Sequence, residues 1–182
     1  MDAYKTIISL RSVRRFRESP IPPDTLHRIL QAGRMCGSSK NTQPWWFVIL
    51  RDKATLQALA RCGDYASHLI DAPLAVAIVF DPQFYRGEFD SGRAAQNMML
   101  AAWSDGIGSC IASMHREDDA KAALDVPKEL RLQHVISFGY PAHSDSSIEG
   151  KPREKVLKRV GRRPMEDIVR HERWPIQTGG SH

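Results

Sequence analysis

Hydrophobic positions along the chain switch several times between a helical and an extended rhythm. Asp2 can cap a short first helix running through Leu10, with Ile7 and Ile8 as its apolar side. Pro22 and Pro23 open a second helix, on which Leu26, Ile29, Leu30 and Gly33 fall at i, i+3, i+4 and i+7. WWFVIL (45–50) reads as a buried strand and is followed by a helix from Asp52 to Cys62. LAVAIVF (74–80), entered through Ala72-Pro73, is the second strand. The longest helical pattern, Phe89 to Asp105, carries Ala94, Ala95, Met98, Met99, Ala101 and Ala102. It is apolar over most of its circumference, which places it in the middle of the protein. Gly106 ends it, and GSCIA (108–112) is a short strand. Glu117, Asp118 and Asp119 suit the first turn of a further helix, where the helix dipole favours negative charge. His134 to Phe138 is a fourth strand, closed by Gly139-Tyr140-Pro141. Strands and helices alternate without strict βαβ order, so the pattern predicts a layered α+β or α/β domain, a sheet covered by helices.

Composition narrows the class. With 182 residues, 42% hydrophobic and 26% charged, the chain has the make-up of one globular domain spanning 1–182. A loose stretch from Ala142 to Arg153 separates its body from a basic tail. The longest uninterrupted apolar run has seven residues, Leu74 to Phe80, against the roughly 20 needed to cross a bilayer. The N-terminus has no apolar signal core followed by a small-residue cleavage site. Three cysteines, Cys36, Cys62 and Cys110, form no CxxC pair, and the seven histidines show no metal-ligand spacing. These features argue against a membrane protein, a disulfide scaffold and a metal site, and point to a cytoplasmic protein.

Charge adds a question. Residues 1–17 carry a net charge of +4 and residues 151–173 one of +5, whereas the whole chain carries +5. Two basic ends on an acidic body are consistent with solvated tails, with a nucleic-acid footprint, or with two segments converging on one small anion. Few aromatic residues interleave with the basic ones (Tyr4 and Phe16, with Trp174 just beyond the second run), which weakens the nucleic-acid reading.

Four segments carry candidate chemistry. In Arg11-Ser12-Val13-Arg14 two guanidiniums flank a hydroxyl, equipment for clamping a phosphate as well as for a plain basic loop. In Gly37-Ser38-Ser39-Lys40-Asn41-Thr42-Gln43-Pro44, just before a strand, small and amide side chains offer the donors and acceptors that read a heterocycle. A polar turn ahead of two core tryptophans is the competing reading. Gly106 to Ser113 allows close backbone approach, although its GxG is neither a dinucleotide fingerprint nor a P-loop. Arg162-Arg163-Pro164 follows the loose stretch.

Taken in order, RSVRRF, SSKNTQPW, FDSGRAAQNMMLAA, GIGSC, FGYP and RRPMEDIVRHERW resemble the nitroreductase family of flavoproteins over nearly the whole chain. The resemblance implies a mixed, largely antiparallel sheet flanked by helices, with a C-terminal arm (154–182) extending over a partner subunit. It implies a homodimer that binds FMN at the subunit interface and draws electrons from NADH or NADPH. By the same likeness, Arg11 and Ser12 meet the flavin phosphate, Arg14 the pyrimidine edge, and Arg162 and Arg163 close the phosphate site. Ser38, Ser39, Asn41 and Gln43 line the flavin, some of them from the other subunit. The backbone of Cys110, Ile111, Ala112 and Ser113 faces the isoalloxazine. A guanidinium beside the pyrimidine edge favours the reduced, anionic ring. Hydride passes directly between nicotinamide, flavin and acceptor, so no protein acid, base or nucleophile is nominated. The implied activity is ping-pong reduction of nitroaromatic, quinone or related conjugated acceptors, with no nucleic-acid or membrane partner.

Three departures stand out. Leu10 occupies a position where many members carry a second basic residue. IASMHRED follows GIGSC in place of a longer or more aromatic stretch, and the segment Asp81 to Glu88 is short. The alternatives are a family member with a specialised reductive or flavin-cleaving substrate, a flavin-binding protein without turnover, and a nucleic-acid-binding module.

Overall fold

The computed structural model describes residues 2–142 and 162–174. The chain divides into two compact units, residues 1–149 and 150–182. In the first unit, the Asp2 carboxylate accepts the Tyr4 amide at 3.2 Å and caps α1, Ala3–Ser9. The predicted apolar side is corrected here: Ile7 is exposed and Thr6 is the buried residue of the helix. Thr6 tolerates burial because its hydroxyl donates back to the Asp2 carbonyl. Helix α2, Pro23–Arg34, buries Leu26, Ile29 and Gly33 as its spacing predicts, with Leu30 half-buried against the same core. A Cβ at Gly33 would lie 2.8 Å from Met98 Cγ, so glycine lets this helix approach the long central helix closely.

Among the described residues four strands form one sheet: β1 (Trp45–Leu50), β2 (Leu74–Phe80), β3 (Gly108–Ser113) and β4 (Arg131–Gly139), in the order β1-β2-β4-β3. Every strand pairing is antiparallel, and a parallel bridge joins Ser12 to Ser109. The predicted layered α+β class holds. Strand β2 is buried at all seven positions because it has strands on both sides and helices on both faces. The expectation of a buried β1 needs correction. Among the described residues it is an edge strand paired with β2 alone, and the packing over its faces leaves Trp46 and Ile49 exposed. Strand β4 begins three residues earlier than its apolar core suggests, since Arg131 and Leu132 continue the pairing with β2.

The sheet separates two cores. On one face Val76, Ile78, Ile136 and Phe138 pack with α2 and with α4, Gly87–Ser104. On the other face Ala75, Ala77, Leu132 and Val135 pack with α3 (Lys53–Cys62) and α5 (Glu117–Ala123). Helix α4 buries Ala94, Ala95, Met98, Met99 and Ala102, as predicted; the predicted Ala101 is half-buried, Trp103 is buried as well, and Phe89 on its first turns is exposed. The Trp103 indole donates to Ser9 Oγ at 2.9 Å and ties α1 to α4. In the second unit, residues 162–174 are exposed and include one helical turn, Met165–Ile168. The remainder of the predicted C-terminal arm, and the loose stretch beyond residue 142, lie outside the described residues. Among the described residues no helix is long and apolar enough to cross a membrane.

Candidate functional site

The strand register decides which groups of β3 are available. Val13 N–H donates to the Ser109 carbonyl at 2.9 Å, so the Ser109 backbone faces away from β4. Met114 N–H donates to Gln133 O at 2.8 Å, so the opposite phase faces β4. Backbone direction alternates along a strand, so Cys110 and Ala112 turn inward while Ile111 and Ser113 present N–H and C=O to the open edge. The same Ser12–Ser109 bridge brings the Arg11–Arg14 segment alongside β3. Gly108 permits that contact: a Cβ there would lie 2.6 Å from Val13 Cβ.

Cys110 is the hub of the polar groups at this edge. Its buried side chain is in hydrogen-bond contact with the Ser12 hydroxyl and feels the charge of Arg14. Burial nevertheless pushes the thiol pKa up, against the opposing influence of Arg14 and Ser12. Burial also raises Cys36 and Cys62. All three stay as thiols, the inert state for a cysteine nucleophile.

Sequence reasoning missed His68, which sits in the short turn Ser67–Leu69 and is 5% exposed. Its Nδ1 lies 2.8 Å from Ser137 Oγ, and Ser137 Oγ donates to the Cys110 carbonyl at 3.2 Å. The hydroxyl has one proton, so Nδ1–H donates to Ser137 and Nε2 is left as a bare acceptor. Nε2 is buried and has no hydrogen-bond partner among the described residues. Burial, and after it the positive charge of Arg14, push the His68 pKa down to about 4, so the ring is neutral near pH 7. No motif surrounds His68. The only hint was Ser137, a polar residue inside the apolar run HVISFG.

The second predicted segment is built differently. Lys40, Asn41 and Gln43 all have positive φ, between 47° and 56°. For residues with a Cβ this region costs about 1–2 kcal/mol each, least for Asn. The loop is held by Ser38, whose Oγ accepts Gln43 N–H at 2.9 Å and whose carbonyl accepts Asn41 N–H at 3.0 Å. Gln43 also lines an open groove of about 520 Å³ beside Trp46 and Arg34.

The structure therefore brings Ser12, Arg14 and residues 110–113 together, and leaves Ser38, Ser39, Asn41 and Gln43 elsewhere in the same chain. This second group precedes β1, at the sheet edge opposite β3. Three strand spacings separate those edges, about 14 Å. Arg11 adjoins the first group, but its guanidinium folds back to donate to Leu10 O at 2.7 Å and Ile8 O at 3.4 Å. Arg162 and Arg163 are exposed in the second unit, where Arg163 donates to the Asp167 carbonyl at 2.8 Å. Of the histidines weighed from sequence, His115 Nδ1 accepts the Asp64 amide at 3.1 Å. His171 is exposed in the second unit.

The sequence profile of the nitroreductase family matches residues 7–80 and 62–140, which together span both groups of site residues in the first unit. The chain belongs to the nitroreductase family. A relative from Archaeoglobus fulgidus, provisionally named an NADH dehydrogenase/NAD(P)H nitroreductase, is 29% identical over 182 residues, 95% of this chain and 99% of its own. The NADPH-flavin oxidoreductase of Vibrio harveyi is 30% identical over 84% of this chain and 70% of its own. The crystal structure of nitroreductase A from Vibrio parahaemolyticus superposes with a TM-score of 0.80 at 25% identity, covering 96% of this chain and 77% of that one.

The residues present fit an FMN. A row of outward N–H groups on β3 suits a ring with acceptor atoms. Arg14 beside it offers the positive charge that a ring's electron-rich edge or a phosphate calls for. His68 Nε2 is an orphaned buried acceptor within the electrostatic reach of that arginine.

Proposed function

We propose that this protein is an FMN-dependent oxidoreductase that works as a homodimer, using NADH or NADPH to reduce nitroaromatic, quinone or related conjugated acceptors by ping-pong exchange. Bound FMN would supply the two-electron chemistry, accepting hydride from the nicotinamide and passing it to the acceptor. The residues of the chain bind and orient. Arg11 and Ser12 would hold the phosphate. Arg14 would face the pyrimidine edge. The outward N–H groups of Ile111 and Ser113 would meet the ring. No side chain is assigned a proton-transfer or nucleophilic step.

The observation that carries the reading is the separation of the two groups of residues across the sheet. Two copies of the chain, one contributing Ser12–Arg14 and the other Ser38–Gln43, would let a single flavin touch both groups without bridging the width of the sheet. Exposed Tyr4, Ile7, Met35, Trp46 and Ile49 offer apolar surface that a second copy would cover. The test is a visible spectrum of the purified protein, followed by anaerobic NADPH and then NADH, with sedimentation on the same sample. Support would be bands near about 375 and 450 nm, belonging to the oxidised ring, that bleach with a nicotinamide in a dimeric species. A colourless protein that neither takes up FMN nor oxidises NAD(P)H would overturn the reading. A folded monomer holding FMN tightly would overturn the two-subunit site.

A further inference from the structure

The strained loop Ser38–Gln43 is anchored from outside itself, by a buried carboxylate. Asp90, on the first turns of α4, is 2% exposed, and its Oδ2 accepts the Ser39 amide at 2.8 Å. Its Oδ1 lies 3.4 Å from Arg93 Nη1. The same guanidinium packs against Gly37, where a Cβ would come within 3.2 Å of Arg93 Nη2. The Asp90 carbonyl faces the Cys36 thiol at 3.9 Å. Cys36, Gly37 and Ser39 are thus all docked on one turn of α4, immediately before three left-handed residues.

A loop with three residues at positive φ relaxes unless its ends are pinned, because an extended or right-handed backbone is available to each of them. Hydrogen bonds within the loop from Ser38 can form only once the chain has already turned. The Ser39–Asp90 bond is different: it joins the loop to an 18-residue helix, through a carboxylate that is itself buried. A buried carboxylate left without that donor, or the amide left without that acceptor, would be satisfied elsewhere only if the loop moved.

We infer that Asp90 is a positioning residue, which with Arg93 holds Ser38–Gln43 in its left-handed shape before any ligand arrives and so prepares the loop to receive the flavin of the partner subunit. This inference rests on the reading that the loop faces FMN. A loop already shaped binds without the penalty of ordering, so the effect of Asp90 falls on cofactor affinity.

The test measures FMN affinity by titrating the apoprotein and following flavin fluorescence, with thermal unfolding of each apoprotein alongside. Asp90→Ala should weaken FMN binding by about ten- to a hundred-fold, the factor carried by one hydrogen bond to a charged acceptor. Asp90→Asn, whose side-chain oxygen can still accept the Ser39 amide, should recover most of that loss. Lys40→Gly in the Asp90→Ala background should also recover part of it, because glycine adopts positive φ without a Cβ clash. A purely structural role for Asp90 would show no rescue by a glycine in the loop. Asn41→Ala and Gln43→Ala separate the two layers of the argument. If neither changes FMN affinity, the loop does not face the flavin and the underlying reading falls. If both weaken binding and Asp90→Ala does not, the positioning role is overturned.

Discussion

Replacing His68 should remove a specific part of the protein's sensitivity to acid. An imidazole in water titrates near 6.5, whereas buried His68 is pushed down to about 4 by desolvation and the Arg14 charge. Below pH 6.5 the unfolded chain takes up a proton that the folded chain refuses. Stability from this group is therefore complete above 6.5 and is lost progressively as pH falls toward 4. The shift corresponds to about 3 kcal/mol in total, of which about 2 kcal/mol is gone by pH 5. Glutamine at position 68 cannot titrate. The assay is urea unfolding of the wild type and of His68→Gln at pH 7.5 and pH 5.0, at one protein concentration and one FMN concentration. Asp52 and Glu117 have pKa values held below the ordinary carboxylate range by their hydrogen bonds, so they stay ionised at both pH values. His134, whose pKa burial also lowers, is common to both proteins and cancels in the comparison. The wild type should lose about 2 kcal/mol more than the variant between the two conditions. An equal loss in both would refute the account of His68 as a neutral, desolvated base.

Two further outcomes follow from the packing. Gly108→Ala would place a methyl group 2.6 Å from Val13 Cβ, forcing the Ser12 segment away from β3. It should cost about 1–3 kcal/mol in stability and weaken FMN uptake, read by thermal unfolding and flavin titration. Glu117→Gln removes a carboxylate that accepts two guanidinium N–H groups from Arg131 and the Leu132 amide at 2.8 Å. The expected loss is about 1.5–3 kcal/mol at pH 7. Because the Glu117 pKa is depressed, that difference should persist above its ordinary value near 4.5 and shrink as the pH falls below it, which denaturation at pH 7 and pH 3.5 would show.

Local rules account for the elements. Asp2 and Asp52 cap helices, Pro22-Pro23 opens one, and LAVAIVF is a strand, because each outcome depends on residues within a few positions of one another. The family's motifs were legible for a related reason: RSVR and SSKNTQPW are short, and their spacing survives in the linear chain. Whether WWFVIL would be central or at an edge was not legible, because that depends on how many strands lie beside it. The β2–β4 pairing, which skips β3, put it at the edge.

The candidate site divides in the same way. The sequence alone was enough to nominate Arg11, Ser12, Arg14 and the residues 110–113, since they stand in recognisable runs. Beyond a polar Ser137 in an apolar run, it did not say that His68 and Ser137, which lie 69 positions apart, would meet, nor that Asp90 would bond to Ser39 across 51. It also could not say which of residues 110–113 turn their backbone outward. A one-residue change of register would exchange them, and the Val13–Ser109 hydrogen bond sets that register. Residue types and local order follow from neighbours in sequence. The burial that keeps His68 neutral, the anchor under a strained loop and the distance between two halves of a site exist only once distant segments have packed.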